Sequence, residues 1–234
     1  MKTTIQDKNK LVNSVFSEVY QQYDLMNDIL SFGVHRSWKQ KFIDWMGPQP
    51  GTKLIDVAAG TGDIAKIFYK KSNNSAEITC VEPNIKMLNQ GKIKLKSLDT
   101  INWIHAPAEK IPVEEGTFDY YSISFGIRNV SNINFVLKEA FRVLKPGGRF
   151  MCLEFSKIDN EMLNYFYKQY SKTIPLVGKL VVGSDEPYKY LVKSIEKFYN
   201  QKTLAKLIKK NGFSNVEFRN LSSGIAAIHS GWKV

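Results

Sequence analysis

Lys53-Leu54-Ile55-Asp56-Val57-Ala58-Ala59-Gly60-Thr61-Gly62-Asp63 is the stretch that decides the fold. It opens as a short apolar run, Lys53 to Ala58, of the length of a buried strand. It then passes through small residues, and a helical pattern begins near Gly62 and continues to Lys71. Small residues let the backbone approach a ligand closely. The first turn of a helix also presents N–H groups with no partner inside the helix. Strand, small-residue turn and helix together form the opening unit of a parallel α/β sheet.

Downstream the alternation continues. Glu77–Glu82 reads as a strand, Asn84–Leu95 as a helix, and Ile101–Ala106 and Phe118–Phe125 as strands. A helix is expected over Ile133–Leu144, a tight turn at Lys145-Pro146-Gly147-Gly148 and a strand over Arg149–Phe155. Strands alternating with helices imply parallel pairing with helices on both faces. The tail differs. A helix near Gln201–Lys210 stops at Asn211-Gly212, and strands near Val216–Leu221 and Ile225–His229 flank Ser222-Ser223-Gly224. A turn that short permits an antiparallel pair. Upstream, Val12, Val15, Phe16, Val19, Tyr23 and Met26 recur on one helical face. A second helix spans Val34 to Met46, and Gly47-Pro48-Gln49-Pro50-Gly51 ends it.

Four places bear on chemistry. A dinucleotide fingerprint would read G-x-G-x-x-G, but here the spacing is Ala58-x-Gly60-x-Gly62, with Asp56 two residues before it. That suits a ligand with a carboxylate and no diphosphate, such as S-adenosylmethionine. Glu82 ends the second strand, where an acid can accept both hydroxyls of a ribose. After the third strand, His105-Ala106-Pro107-Ala108-Glu109 can offer a backbone N–H and an acid to adenine. After the fourth, Ser124-Phe125-Gly126-Ile127-Arg128-Asn129 faces the reactive end of such a cofactor. Between Asn160 and Lys197 lies an insertion carrying Tyr165, Phe166, Tyr167, Tyr170, Tyr188 and Tyr190. It follows a strand's carboxyl end, so substrate contact and simple helix packing both remain open for it.

The 234 residues amount to one large domain at about 150 residues per domain. Apolar residues make up 43%, enough for a packed core, which excludes a disordered chain. No apolar run exceeds four residues, so no helical span of a bilayer is expected. The first twenty residues carry no apolar signal core. Cys80 and Cys152 sit in strand-like runs and read as reduced core residues of a cytoplasmic protein; no metal site is expected. The net charge is +11, yet only Arg36, Arg128, Arg142, Arg149 and Arg219 are arginines. That lysine bias fits codon usage and argues against specific nucleic-acid recognition, which favours arginine.

The residues resemble a known family, the ubiquinone/menaquinone-biosynthesis C-methyltransferases, which are class I S-adenosylmethionine enzymes. The resemblance runs from about Val15 to Val234. It is carried most specifically by Met26-Asn27-Asp28 within Tyr23-Asp24-Leu25-Met26-Asn27-Asp28 and by Phe125-Gly126-Ile127-Arg128-Asn129, and it includes Ser31-Phe32-Gly33-Val34-His35-Arg36-Ser37-Trp38-Lys39. Arg142-Val143-Leu144-Lys145-Pro146-Gly147-Gly148, Leu153-Glu154-Phe155-Ser156-Lys157 and the tail Asn220–His229 extend it. It implies an α/β, Rossmann-like fold with a mostly parallel seven-stranded sheet, a C-terminal antiparallel hairpin and an N-terminal helical lid. The expected division is lid 1–50, cofactor-binding core 51–156, helical substrate insertion 157–200 and C-terminal helix and hairpin 201–234. Asp56, Gly60, Thr61, Gly62, Glu82, Pro107, Ala108 and Ser124 are the expected cofactor residues. Pro107 stands where the family usually has Asn or Asp, and it brings neither an N–H nor a polar side chain.

The resemblance implies methyl transfer to a ring carbon of a polyprenylated benzoquinol or naphthoquinol. A phenol has a pKa of about 10, so stabilising a developing phenolate would raise the carbon's nucleophilicity. Arg128, oriented by Asn129, is expected to do this, with His35 and Tyr188 as weaker base candidates. Asp24 and Asp28 are expected to shape the lid. Another small phenol or a sterol stands as an alternative substrate, and a basic nucleic-acid binder as an alternative class. A quinone tail lodges in the bilayer, so the charge gains a second reading as transient contact with the membrane surface or a quinone-biosynthesis complex. The expected contacts lie near Lys39, Lys41, Lys172 and Lys179.

Overall fold

Alternate side chains of a strand point to opposite sides, and the central strands here are apolar on both. In β5 (Leu144–Phe155), Met151, Leu153 and Phe155 enter one core layer, while Phe150 and Cys152 enter the other. The same split divides Leu54 from Ile55 in β1 (Lys53–Val57). Helices must therefore cover both faces. The computed structural model describes residues 12, 14, 15, 17, 27–29, 31 and 33–234, apart from 99, 159, 183 and 184. For 163, 164, 166, 168, 176–178 and 180–182 it describes the backbone alone. The expected helix face at Phe16, Val19, Tyr23 and Met26 lies outside the described residues, as do Asp24 and the side chain of Phe166.

The first complete helix is α1 (His35–Met46). After β1 come α2 (Asp63–Lys71), β2 (Glu77–Val81), α3 (Ile85–Lys94), β3 (Ile101–Ile104) and β4 (Phe118–Ser124). Then follow α4 (Ile133–Val143), β5, α5 (Glu161–Val182), α6 (Glu186–Lys197) and α7 (Gln201–Lys210). The chain finishes with β6 (Ser214–Leu221) and β7 (Ala226–Trp232). The seven strands lie in the order β3-β2-β1-β4-β5-β7-β6. The first five are parallel, and β7 pairs antiparallel with both β5 and β6. The expected mostly parallel sheet with a terminal antiparallel hairpin is thus present. Asparagines start three of the helices: Asn84, Asn132 and Asn200 accept backbone N–H groups of the first turns of α3, α4 and α7.

One expectation is corrected. Lys145-Pro146-Gly147-Gly148 is no chain reversal but an irregularity inside β5. Leu144 pairs with Phe118, and pairing resumes at Arg149 with Tyr120. The extra residues bulge out. Gly147 donates to the Lys233 carbonyl at 2.7 Å, and Gly148 accepts from the Lys233 N–H at 2.9 Å. The insertion forms α5 and α6, and Tyr188 and Leu191 of α6 are buried with α1 and β5 in one core layer. Trp38 of α1 packs edge-on against Phe155 and tilted against Phe125. The helical front is thereby joined to the carboxyl ends of β4 and β5. Cys80 and Cys152 are free and buried in opposite core layers.

Candidate active site

The chain leaves β1 at Ala58, which adopts φ +51°, and leaves β4 at Phe125, which adopts φ +54°. Left-handed backbone at residues bearing a Cβ costs energy and collects at functional sites. These two neighbouring strand ends, β1 beside β4, hold it side by side. Gly62 ends the turn at φ +82°. A Cβ there would come within 2.6 Å of Leu95 and 3.2 Å of Trp103, so glycine is required twice over. Two cavities open around these strand ends and share Ala58, Gly60 and Phe125. The larger, about 270 Å³, is lined by Glu82, Pro107, Ala108, Glu109 and Asn129 among others. The smaller is lined by Lys39, Asp56, Thr61, Asp63 and Ser124 among others. All the expected cofactor and catalytic residues line one or the other, except Gly62 and Arg128.

Glu82 is buried, and each of its oxygens takes one backbone N–H: Gly60 at 2.8 Å on Oε2 and Asn84 at 2.9 Å on Oε1. It therefore props the glycine turn from below. Burial pushes its carboxyl up to about 7 against these two bonds. Asp56 accepts the Ser122 hydroxyl at 2.6 Å on Oδ1, while Oδ2 has no partner among the described residues. Burial pushes it up to about 7 as well, with the nearby Glu82 charge adding to the effect. Ser124 Oγ is likewise buried without a partner. Thr61 Oγ1 accepts from Lys94 at 3.1 Å. Pro107 contributes its carbonyl to the Lys110 N–H at 3.2 Å, so the loop is held without the missing Asn or Asp. Glu109 Oε1 accepts the Ser131 N–H and hydroxyl at 2.7 and 2.6 Å, tying this loop to the start of α4.

Arg128 is enclosed rather than open to a cavity. Its Nη1 donates to Glu154 Oε1 and to the Phe125 carbonyl, both at 2.7 Å, and Nε reaches Ser194 Oγ at 3.3 Å. Both partners of the ion pair are essentially inaccessible. Nη2 alone has no partner among the described residues. Burial raises the Glu154 carboxyl, and Arg128 opposes that. Asn129 does line the larger cavity, and its Oδ1 accepts the Tyr190 hydroxyl at 3.1 Å. His35 and Tyr188 are buried and line neither cavity. Asp28 binds His35 Nε2 at 2.9 Å and Arg36 through both oxygens at 2.8 Å, a bond set that fixes the entry to α1.

Several contacts at the site were invisible in the sequence. Glu154, Tyr190 and Ser194 lie 26, 61 and 66 positions from their partners, and no spacing rule reaches that far. Lys39, expected at the surface, is buried and pairs with Asp63 at 2.7 Å. Its place among Trp38, Phe42 and Ile43 on an apolar helix face was the available signal.

The fold and the two joined cavities define a Rossmann-like class I methyltransferase. Solved structures agree on the fold. A possible histamine N-methyltransferase from Thermotoga maritima superposes with TM-score 0.67 at 18% identity, covering 95% of this chain and all of that one. A Haemonchus contortus phosphoethanolamine N-methyltransferase bound to S-adenosylmethionine gives 0.64 at 15% identity, covering 84% and 52%. Within that class, the model of the ubiE/COQ5 methyltransferase family matches residues 2–233, and the chain belongs to this family. It is 47% identical to a Cereibacter sphaeroides protein described as ubiquinone/menaquinone biosynthesis C-methyltransferase, over 97% of this chain and 92% of that one. It is also 47% identical to a Brucella anthropi protein of the same description, over 97% and 89%. It is an S-adenosylmethionine-dependent C-methyltransferase. The site fits that cofactor: a long ligand, nucleoside at one end and amino acid at the other, matches two neighbouring cavities that share the strained strand ends Ala58 and Phe125.

Proposed function

We propose that the protein methylates a ring carbon of a polyprenylated quinol in ubiquinone or menaquinone biosynthesis. The observation that carries the reading is the meeting of the two cavities at Ala58, Gly60 and Phe125, with Asn129 on the larger one's wall. Bound S-adenosylmethionine supplies an electrophilic methyl group on a sulfonium. Glu82 accepts the ribose hydroxyls with the lone pairs its two backbone bonds leave over. Ala108 offers its N–H to adenine, and the Gly60–Gly62 turn lets the backbone lie against the ligand. Ser124 and Asp56 face the amino-acid end.

A ring oxygen must gain negative charge as its neighbouring carbon attacks. Tyr190 holds Asn129 by Oδ1, which leaves the amide NH₂ as the donor end. Arg128 lies one residue earlier, held by Glu154 and the Phe125 carbonyl, and its Nη2, with no partner among the described residues, is the donor left for a developing phenolate. The front helix and the α5–α6 insertion shield this end from water.

Among the described residues no helix is long and apolar enough to cross a membrane. The substrate's tail therefore calls for surface contact. Met162, Tyr165, Lys172 and Lys179 lie exposed on one face of α5, with Met162 70% and Tyr165 60% accessible. Apolar anchors near lysines suit an anionic leaflet, at about 1 kcal/mol per lysine. Lys39 has no part in this, being buried. Mass spectrometry of the quinone pool in a deletion strain tests the function. Demethylated quinone intermediates are expected to accumulate, their ring identifying benzoquinol or naphthoquinol; an unchanged pool would reject the function. Flotation with anionic liposomes at low and high salt tests the surface contact, and salt-insensitive or absent binding refutes it.

A further inference from the structure

A lysine on the buried face of a helix needs a reason, because its ammonium loses water and is rarely enclosed unless paired. Lys39 is such a residue, with its side chain only 7% accessible, one turn after His35 on the α1 face that packs into the core. Among the described residues its one hydrogen bond goes to Asp63 Oδ2 at 2.7 Å. An ammonium has three donors, so two are left. Asp63 does not depend on this bond alone, because Lys94 holds its other oxygen at 2.7 Å. Burial would raise the Asp63 carboxyl, but the two lysines outweigh burial and hold it well below the usual carboxylate range. Two lysines thus meet one ionised acid, and the surplus positive charge sits at the smaller cavity, which Lys39 lines.

The same cavity wall carries two more incomplete groups, Asp56 Oδ2 and Ser124 Oγ, both buried and without partners among the described residues. Orphaned polar atoms in a native interior call for an explanation. A cation, an acid and a hydroxyl converging on one small space are complementary to a zwitterion. Its carboxylate would complete the lysine and its ammonium would complete the acid. An α-amino acid end is such a group, and the cavity shares Ala58, Gly60 and Phe125 with the larger one, to which the proposed function assigns the nucleoside.

We propose that Lys39 binds the α-carboxylate of S-adenosylmethionine while Asp56 takes its ammonium, which makes the front helix a wall of the cofactor site. This rests on the cofactor reading of the two cavities. It gives Lys39 a function that its burial and partial bonding otherwise lack. It also ties the helical front to the cofactor: filling the site adds a charge-assisted bond between α1 and the ligand lying on β1 and α2, so occupancy stabilises the covering segment.

Calorimetric titration of the full chain with S-adenosylmethionine and with its decarboxylated form isolates this contact, since the two ligands differ only in the carboxylate. The wild-type chain is expected to prefer the intact cofactor by about tenfold or more. In Lys39→Met the preference should fall to about twofold, with the decarboxylated ligand bound as tightly as by wild type. Lys39→Arg should keep most of the preference. Lys39→Gln, whose amide can stay with Asp63, gives the same reading as Lys39→Met should the latter fail to fold. Adenosine binding by each variant reports an intact nucleoside cavity. A Lys39→Met or Lys39→Gln chain that keeps the full preference overturns the assignment. So does one that weakens for adenosine as much as for the cofactor, since that marks a purely structural lysine. If the wild-type chain binds neither adenosyl ligand, the cofactor reading itself falls, a result distinct from an unchanged variant.

Discussion

Two buried arginines sit at opposite ends of one sheet, and their bonding differs. Arg149, at the amino end of the parallel strands, donates Nε to Ser230 Oγ at 2.9 Å and Nη1 to the Trp45 and Met46 carbonyls. Its guanidinium lies 5.3 Å from the Trp45 ring centroid and 4.8 Å from that of Trp232. Arg128, at the carboxyl end, has an ion pair and a carbonyl, but its Nη2 has no partner among the described residues. The surroundings follow suit. Near this end Lys145 pairs with Asp119 at 2.7 Å, and Arg219 stacks over the same Trp45 ring as Arg149. At the carboxyl end lie strained Phe125, the Ser124 Oγ and Asp56 Oδ2 atoms with no partner among the described residues, and Glu82, whose carboxyl, like that of Asp56, burial pushes up to about 7. The amino end is built to hold the fold, and the carboxyl end leaves polar valence open for ligands.

The largest effect that would sharpen this contrast comes from Arg128→Ala. It leaves Glu154 buried and unpaired, which costs about 3–5 kcal/mol of stability in urea denaturation. Adding Glu154→Gln should recover much of that loss, yet turnover should stay roughly 10²-fold or more below wild type. Recovery of turnover along with stability would reduce Arg128 to a structural role. Arg149→Met is expected to cost about 1–3 kcal/mol in the same assay while leaving kcat unchanged in the folded protein. A matching drop in kcat would break the distinction between the two ends.

The next effect concerns pH. Asp56 and Glu82, with folded pKa values of about 7, are largely protonated at pH 6 and ionised at pH 8. A ligand carrying an ammonium favours the ionised acids, so cofactor affinity should rise by roughly tenfold across this interval. Isothermal titration in Asp56→Asn should show a shallower rise, and an equally steep one would exclude Asp56 from the linkage. The smallest effect is expected for Tyr190→Phe. Losing the bond to Asn129 costs about 0.5–1.5 kcal/mol. It should lower kcat severalfold with cofactor affinity unchanged, and a change in affinity alone would misplace Asn129.

The strand and helix sequence from Lys53 to Phe155 was legible because each element carries its own periodicity and caps. Asn84 and Asn132 stand where helices begin, and both cap in the structure. Lys145-Pro146-Gly147-Gly148 misled because a Pro-Gly-Gly run has the same local chemistry in a reversal and in a bulge. Only the pairing of Lys233 with Gly147 and Gly148 from the far end of the chain tells them apart. Among the site residues, Gly60, Gly62 and Glu82 could be placed from order and spacing, since the backbone turn itself makes that part of the site.

What the sequence determined by itself is local: the elements, the glycine turn, the acid after β2 and the family to which they point. What only the tertiary structure decided is which polar atoms are left without partners. Glu154 claims one face of Arg128, Tyr190 claims Asn129, and Asp63 takes only one donor of Lys39. Those bonds span 24 to 61 residues, and burial makes each satisfied or orphaned atom matter energetically. Unmet hydrogen-bonding capacity in a dry site is a property of the packed molecule, because it depends on every neighbour that folding brings to the same place.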